Sequence, residues 1–154
     1  MKIFKIHTKQ DLPITKHEGW SFLSDPKNLS IITPEYMKFK ITDCDFKPVY
    51  QGQIIQYTVK PILKIPLKWV TEITHVVNEE YFVDEQRFGP YSLWHHKHFI
   101  KEIENGIEME DVIHYKIPGG IFGEFLNTLF IKNQLKEIFN YRKEKLIEIF
   151  GEIK

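Results

Sequence analysis

Six stretches between residues 36 and 117 alternate apolar and polar side chains with a period of two, and after Pro118-Gly119-Gly120 the period becomes 3.6. This change of period predicts a run of antiparallel strands followed by one helix that covers the sheet. The six strands are expected over 36–43, 52–60, 66–77, 80–86, 91–102 and 107–117. Turn formers stand between them: Pro48, Gly52, Pro61, Pro66, Asn78, Gly89-Pro90 and Asn105-Gly106. Asn-Gly between alternating segments is a strong hairpin signal, so Asn105 and Gly106 are expected to form a two-residue loop. Beyond Gly120 the residues Phe122, Phe125, Leu126, Leu129, Leu135, Ile138, Phe139, Leu146 and Ile149 recur at helical spacing, with Lys and Glu on the other side. They predict one long amphipathic helix of roughly 28–30 residues.

Ahead of the six strands, "MKIFKIHT" reads as a first strand. In "TKQDLPITKHEGWSFLSDP" Thr8 or Asp11 is the expected helix start and Ser24-Asp25-Pro26 the stop. "KNLSIITP" reads as a second short helix or turn ending at Pro34. The expected class is α+β: a strand, two short helices, six more strands, and a long helix. A long helix across a strongly curved sheet leaves space beneath it, a natural place for a small molecule.

Alternation assigns faces to the histidine-rich stretch "DEQRFGPYSLWHHKHF". In strand 91–102 one face carries Trp94, His96, His98 and Ile100, and the other Leu93, His95, Lys97, Phe99 and Lys101. In strand 107–117 Asp111 and Tyr115 share a face with Met109 and Ile113, opposite Glu108, Glu110, His114 and Lys116. Unpaired charges are costly to bury, so the lysine and glutamate faces go to water. Trp94, His96, His98, Asp111 and Tyr115 therefore point under the helix. In strand 66–77 the same logic sends Trp69, Thr71, Ile73 and His75 inward, with Tyr57 a further candidate. Register is the remaining choice: the Asn-Gly loop places His98 opposite Ile113, and a slip of two residues places it opposite Asp111 without changing faces.

The inner polar group admits three roles. His96, His98 and Asp111 form a two-histidine, one-carboxylate set of the kind that holds iron, although no fourth ligand is evident and no metal or cofactor is expected. A His98 or His96 pair with Asp111 serves proton transfer, but no Gly-x-Ser-x-Gly motif or partnered cysteine supplies a nucleophile. A His–Asp–Tyr network also satisfies itself, with its edge a polar contact point in an apolar cavity. His95 and His114 belong to the solvated face. "DEQ" at 84–86 is either solvated or a partner for Arg87 or Arg142; Arg142 itself falls close to the apolar stripe of the long helix.

The 154 residues suit one domain, 1–154. Lys plus Arg and Asp plus Glu both number 21, so no basic surface invites nucleic acid. Cys44 is the sole cysteine, which excludes an intramolecular disulfide and fits a reducing, cytoplasmic setting. The N-terminus has neither the apolar core nor the small-residue cleavage site of a signal peptide, and no stretch is long enough to span a bilayer.

This order of elements resembles the helix-grip fold of the SRPBCC superfamily, which includes StAR-related lipid-transfer domains, pollen-allergen-like proteins and polyketide cyclase/dehydrase-like proteins. More closely, "IPLKWVTEITHV", "FVDEQRFGPYSLWHHKHF", "DVIHYKIPGGIFG" and "IFNYR" are similar to a bacterial subgroup of SRPBCC ligand-binding proteins, some of which carry a cell-division-inhibitor label. The likeness runs from "LSIITP" to "IFNYR". It implies a curved antiparallel sheet of about seven strands wrapped around the C-terminal helix, with lipids, quinones or polyketide-like aromatics bound between them. No catalytic residue carries over from it.

The function expected is binding of an apolar or aromatic small molecule in that cavity. Trp69, Trp94, Tyr115 and Tyr57 supply apolar area, and His96, His98 and Asp111 orient a polar group. The alternatives are a cyclase, dehydratase or hydrolase using the His–Asp pair, and a protein-interaction or co-chaperone-like module.

Overall fold

The computed structural model describes residues 2–60 and 65–153, so the turn expected at Pro61 lies outside the described residues. The order is β1 (Phe4–Leu12), α1 (Lys16–Leu23), two 3₁₀ turns (Pro26–Ser30 and Glu35–Met37), β2 (Lys40–Asp43), β3 (Ile54–Val59), β4 (Leu67–Val77), β5 (Tyr81–Phe88), β6 (Leu93–Ile103) and β7 (Gly106–Lys116). The C-terminal helix follows as α2 (Gly120–Leu126), a π turn (Asn127–Ile131) and α3 (Lys132–Phe150). All seven strands form one antiparallel sheet in the order β1-β7-β6-β5-β4-β3-β2. The fold is the expected α+β arrangement, a curved sheet with a long helix. No helix among the described residues is long and apolar enough to cross a membrane.

The first helix starts later than Thr8 or Asp11. Both belong to β1, which runs to the fully buried Leu12. The helix is capped instead by Thr15, whose side chain accepts from the Glu18 backbone while Glu18 accepts from Thr15, a reciprocal capping box. The expected strand over 36–43 shortens to Lys40–Asp43, because Glu35–Met37 form a 3₁₀ turn that Lys38 closes in the left-handed region.

The β6–β7 hairpin takes the slipped register. Ile103 pairs with Gly106, so the two-residue loop is Glu104-Asn105 and not Asn105-Gly106. Gly106 is needed for another reason. It lies against β1 at φ +151°, where a Cβ would stand 2.0 Å from the Leu12 carbonyl oxygen. The slip puts His98 directly opposite Asp111 and Trp94 opposite Tyr115. The inner and outer faces are unchanged by it, as the period of two requires.

Two bulges re-aim β4 and β5. Ile73 pairs with Asp84 while His75 pairs with Val83, so β4 carries an extra residue there. His75, expected to point inward, is exposed as a result, and Val76 packs on the core in its place. The second bulge, where Val70 pairs with Phe88 and Thr71 with Gln86, leaves Arg87 outside the ladder and free to reach Glu72.

The helix also departs from its expected apolar stripe. Gly123, Asn127, Leu135, Arg142 and Leu146 are the buried positions. Their spacing of four ahead of Leu135 matches the wider π turn. Phe122, at 80 % exposure, and Phe125, Leu126, Leu129 and Phe130 face outward. Gly123 sits so near Pro118 that a Cβ would meet its carbonyl oxygen at 2.2 Å, which makes it the point where the helix presses on the end of β7.

Candidate functional site

Between the sheet and α3 lies a cavity of about 200 Å³, space for on the order of ten waters. Its walls are largely apolar. Trp69 and Tyr57 come from neighbouring inner positions of β4 and β3, which pair directly. Their rings stack at 5.7 Å, and Trp94 meets Trp69 edge-on at 5.3 Å. Tyr91, which composition alone did not single out, closes this group at 5.5 Å from Trp69 and 4.9 Å from Trp94. Gln86 positions it: its side chain donates to the Tyr91 carbonyl at 2.6 Å and accepts from the Tyr91 N–H at 3.2 Å, clamping the Gly89-Pro90 turn. Burial raises the phenols of Tyr57 and Tyr91, so both stay protonated.

Trp69, Trp94, Tyr57, His96 and His98 line the cavity. Asp111 and Tyr115 do not. Tyr115 is buried behind the wall, where its hydroxyl donates to Asn127 Oδ1 at 2.9 Å and ties β7 to the π turn. Asp111 faces a second cavity between β1 and α3, beside Gln10, Lys143 and Arg142.

The residue that sequence reading missed is Asp84. It points to the cavity from β5, directly opposite His96, and only 15 % of its side chain is exposed. Its signal lay in the alternation from the core residue Phe82, which places position 84 on the same face.

Asp84 completes a closed polar ring. His98 Nε2 donates to Asp84 Oδ2 at 2.7 Å, and His96 Nδ1 stands 3.4 Å from the same oxygen. On the far side His96 Nε2 donates to Asp111 Oδ1 at 2.9 Å. His98 Nδ1 is also 2.9 Å from Asp111 Oδ1, but off the line that a hydrogen bond needs, so this contact is electrostatic. The two imidazoles lie 3.7 Å apart. Arg142 approaches Asp111 Oδ1 from the helix at 3.6 Å, which explains a charged residue on the buried stripe.

Each of these charged groups is shifted by its neighbours. Burial pushes the Asp111 carboxyl up, but Arg142 and the two imidazoles outweigh it and hold the group well below the carboxylate range. For Asp84 burial is likewise overcome, here by His96 and His98. Burial and the neighbouring His98 lower His96. His98 is raised despite burial, because Asp111 and Asp84 both favour its protonated form. His98 is thus the member of the group that its neighbours favour in the protonated form, and it lies at the cavity wall.

Besides His98 Nδ1, two buried donors on residues that line the cavity have no hydrogen-bond partner among the described residues: Trp69 Nε1 and Arg142 Nε. These residues are only 9 % and 8 % exposed.

No protein-family model matches this chain, and no curated protein matches it significantly. Solved structures do. Protein CV1439 from Chromobacterium violaceum superposes with a TM-score of 0.73 at 12 % identity, covering 97 % of this chain and 99 % of that one. TTHA0849 from Thermus thermophilus gives a TM-score of 0.67 at 12 % identity, over 95 % and 99 % of the two chains. Ara h 8.0201 gives 0.59 at 8 % identity, over 96 % and 99 %. At these identities the likeness speaks for architecture alone: the chain has a helix-grip fold.

Proposed function

We propose that the cavity binds an apolar, partly aromatic small molecule that carries at least one hydrogen-bond acceptor. One observation carries this reading: Trp69, in the aromatic wall it forms with Tyr57, Tyr91 and Trp94, has a buried indole N–H, Nε1, with no partner among the described residues. A buried unmade hydrogen bond costs about 1–3 kcal/mol. An acceptor on a ligand offsets that cost, and the surrounding rings supply apolar contact. Lipid, quinone and polyketide-like molecules all have this chemistry.

Native mass spectrometry of protein purified from its own host tests the reading, together with thermal shifts across a lipid, quinone and aromatic panel. A co-purified or stabilising ligand displaced by Trp69→Ala supports it. Absence of both a bound mass and any thermal shift counts against it.

A second reading is favoured by the Asp84–His98 hydrogen bond on the same wall. There His98 acts as general acid or base on the bound molecule, in a cyclase, dehydratase or hydrolase reaction. Turnover of any panel member that survives both His96→Ala and His98→Ala excludes this assignment.

A further inference from the structure

We propose that Asp84, His96 and His98 together hold one divalent first-row metal ion on the cavity wall, with Asp111 as the carboxylate that orients both imidazoles from behind. The four ring nitrogens divide evenly between two carboxylates. His96 Nδ1 and His98 Nε2 both turn to Asp84 Oδ2, at 3.4 and 2.7 Å. His96 Nε2 and His98 Nδ1 both turn to Asp111 Oδ1, each at 2.9 Å. One ligand atom from each of Asp84, His96 and His98 lies within 4.8 Å of the others. These three residues line the cavity and Asp111 does not.

Protons alone fit this arrangement poorly. The hydrogen bond to Asp111 places a proton on His96 Nε2. In the neutral ring Nδ1 then presents a lone pair, and it faces a carboxylate oxygen at 3.4 Å, acceptor against acceptor. A cation among Asp84 Oδ2, His96 Nδ1 and His98 Nε2 turns that repulsion into coordination. Imidazole nitrogens and carboxylate oxygens bind zinc at about 2.0–2.2 Å, so neighbouring ligand atoms stand about 3.3 Å apart in a tetrahedral set. The 3.4 Å distance is already at that spacing, the 2.7 Å distance reaches it by opening about 0.6 Å, and the two ring nitrogens lie within 4.8 Å of each other.

The surroundings match a metal site as well. Imidazoles that bind metal regularly give their second nitrogen to a carboxylate, which fixes the tautomer and raises basicity. Asp111 does this for His96, it stands 2.9 Å from His98 Nδ1 as an electrostatic contact, and Arg142 balances its charge. Two imidazoles and one carboxylate on one side of an ion leave coordination positions open, and here they open into the cavity. Such a donor set takes Fe(II), Zn(II) or a similar ion. With Asp111 and Arg142 cancelling, an M²⁺ ion and Asp84 leave one positive charge. The open position therefore suits an oxygen donor such as an enolate, phenolate or carboxylate.

The test is titration of chelator-treated full-length protein with Co²⁺, read by visible absorption, and with Zn²⁺ in competition. One ion per chain is expected, with bands characteristic of nitrogen and oxygen ligands. His96→Ala and His98→Ala are each expected to weaken binding by at least about 100-fold, and Asp111→Asn by about 10- to 100-fold. His7→Ala and His17→Ala, which remove exposed histidines, are expected to leave it unchanged. If a site variant does not fold, the wild-type titration decides alone. Absence of stoichiometric Co²⁺ and Zn²⁺ binding overturns the proposal, as does binding that the folded site variants leave unchanged. Trp69→Phe is expected to spare metal binding, so this result stands or falls apart from the cavity-ligand reading.

Discussion

His98 on β6 stands directly opposite Asp111 on β7, and His98 Nδ1 lies 2.9 Å from Asp111 Oδ1. That contact exists because the two-residue loop of the β6–β7 hairpin sits one residue earlier than its Asn-Gly dipeptide suggests. A hairpin loop of two residues sets the partner of every residue behind it. Moving the loop from Asn105-Gly106 to Glu104-Asn105 exchanges Ile113 for Asp111 opposite His98, and so assembles the polar ring.

The first prediction concerns Arg142. Arg142→Met keeps the length of the side chain and strands the Asp111 carboxylate in a buried site with only imidazole partners. Breaking a buried ion pair from one side costs about 3 kcal/mol. For a chain of this size that is a Tm decrease of roughly 6–12 °C. Adding Asp111→Asn in the same background is expected to recover part of the loss, because the stranded charge is gone. Thermal denaturation of the two variants measures both effects.

Two glycines with positive φ should respond very differently to alanine. Gly106→Ala meets the Leu12 backbone oxygen at 2.0 Å, so the β1–β7 seam must open. A loss of about 3 kcal/mol or more is expected, enough to reduce the yield of folded protein. Gly52 has φ +88° and open space around its missing Cβ. Gly52→Ala is expected to cost only the backbone preference, about 1 kcal/mol. Comparable losses in urea denaturation would show that the close approach at Gly106 is not what matters there.

Much of this was legible in the residues themselves. The inward faces of β6 and β7 follow from alternation, because Lys97, Lys101, Glu108 and Glu110 leave only one face to bury. The position of Asp84 was obscured by its neighbours: "DEQ" at the end of the expected strand 80–86 reads as solvated or as a partner for Arg87 or Arg142, although Phe82 fixes its face. His75 was misread for a different reason. A bulge changes the parity of a strand without changing its composition, so nothing in "TEITHVV" marks the reversal. The same holds for the π turn, which sends Phe122 and Phe125 outward and leaves Arg142 on the inner stripe. In each case the pattern carries side-chain character, while the missing information is a backbone irregularity of one residue.

A third prediction is a pH effect at the loop that leads into β3. Asp45 accepts from Tyr50 Oη at 2.7 Å, from Gln53 Nε2 at 2.9 Å and from the Lys47 N–H at 3.3 Å. The Gln53 and Tyr50 bonds hold its carboxyl below the ordinary value. For a depressed carboxyl the stabilisation is complete above the unfolded pKa, about 3.9, and disappears as the pH falls through the lower folded value. Hydrogen exchange across residues 45–53 is therefore expected to be flat from neutral pH down to the carboxylate range, once intrinsic rates are corrected, and to accelerate below it. Asp45→Ala should show the fast behaviour at every pH. Identical corrected profiles for the two proteins would remove Asp45 as the clip.

The last prediction separates apolar contact from hydrogen bonding inside the cavity. Trp69→Phe retains most of the ring area against Tyr57 and Trp94 and removes the unpartnered Nε1–H. In the free protein the loss of an unsatisfied donor and the loss of some ring area oppose each other, so stability is expected to stay within about 1 kcal/mol. Ligand binding should respond more selectively. A carbonyl-bearing aromatic is expected to lose about 1 kcal/mol, roughly fivefold in Kd, because its acceptor no longer meets a donor. The corresponding hydrocarbon, which never used the N–H, is expected to bind both proteins alike. Trp69→Ala should weaken both ligands, since it removes the wall itself. Equal losses for the carbonyl compound and the hydrocarbon in Trp69→Phe would mean that Trp69 contributes surface alone, and that the unpaired indole N–H does not select the ligand.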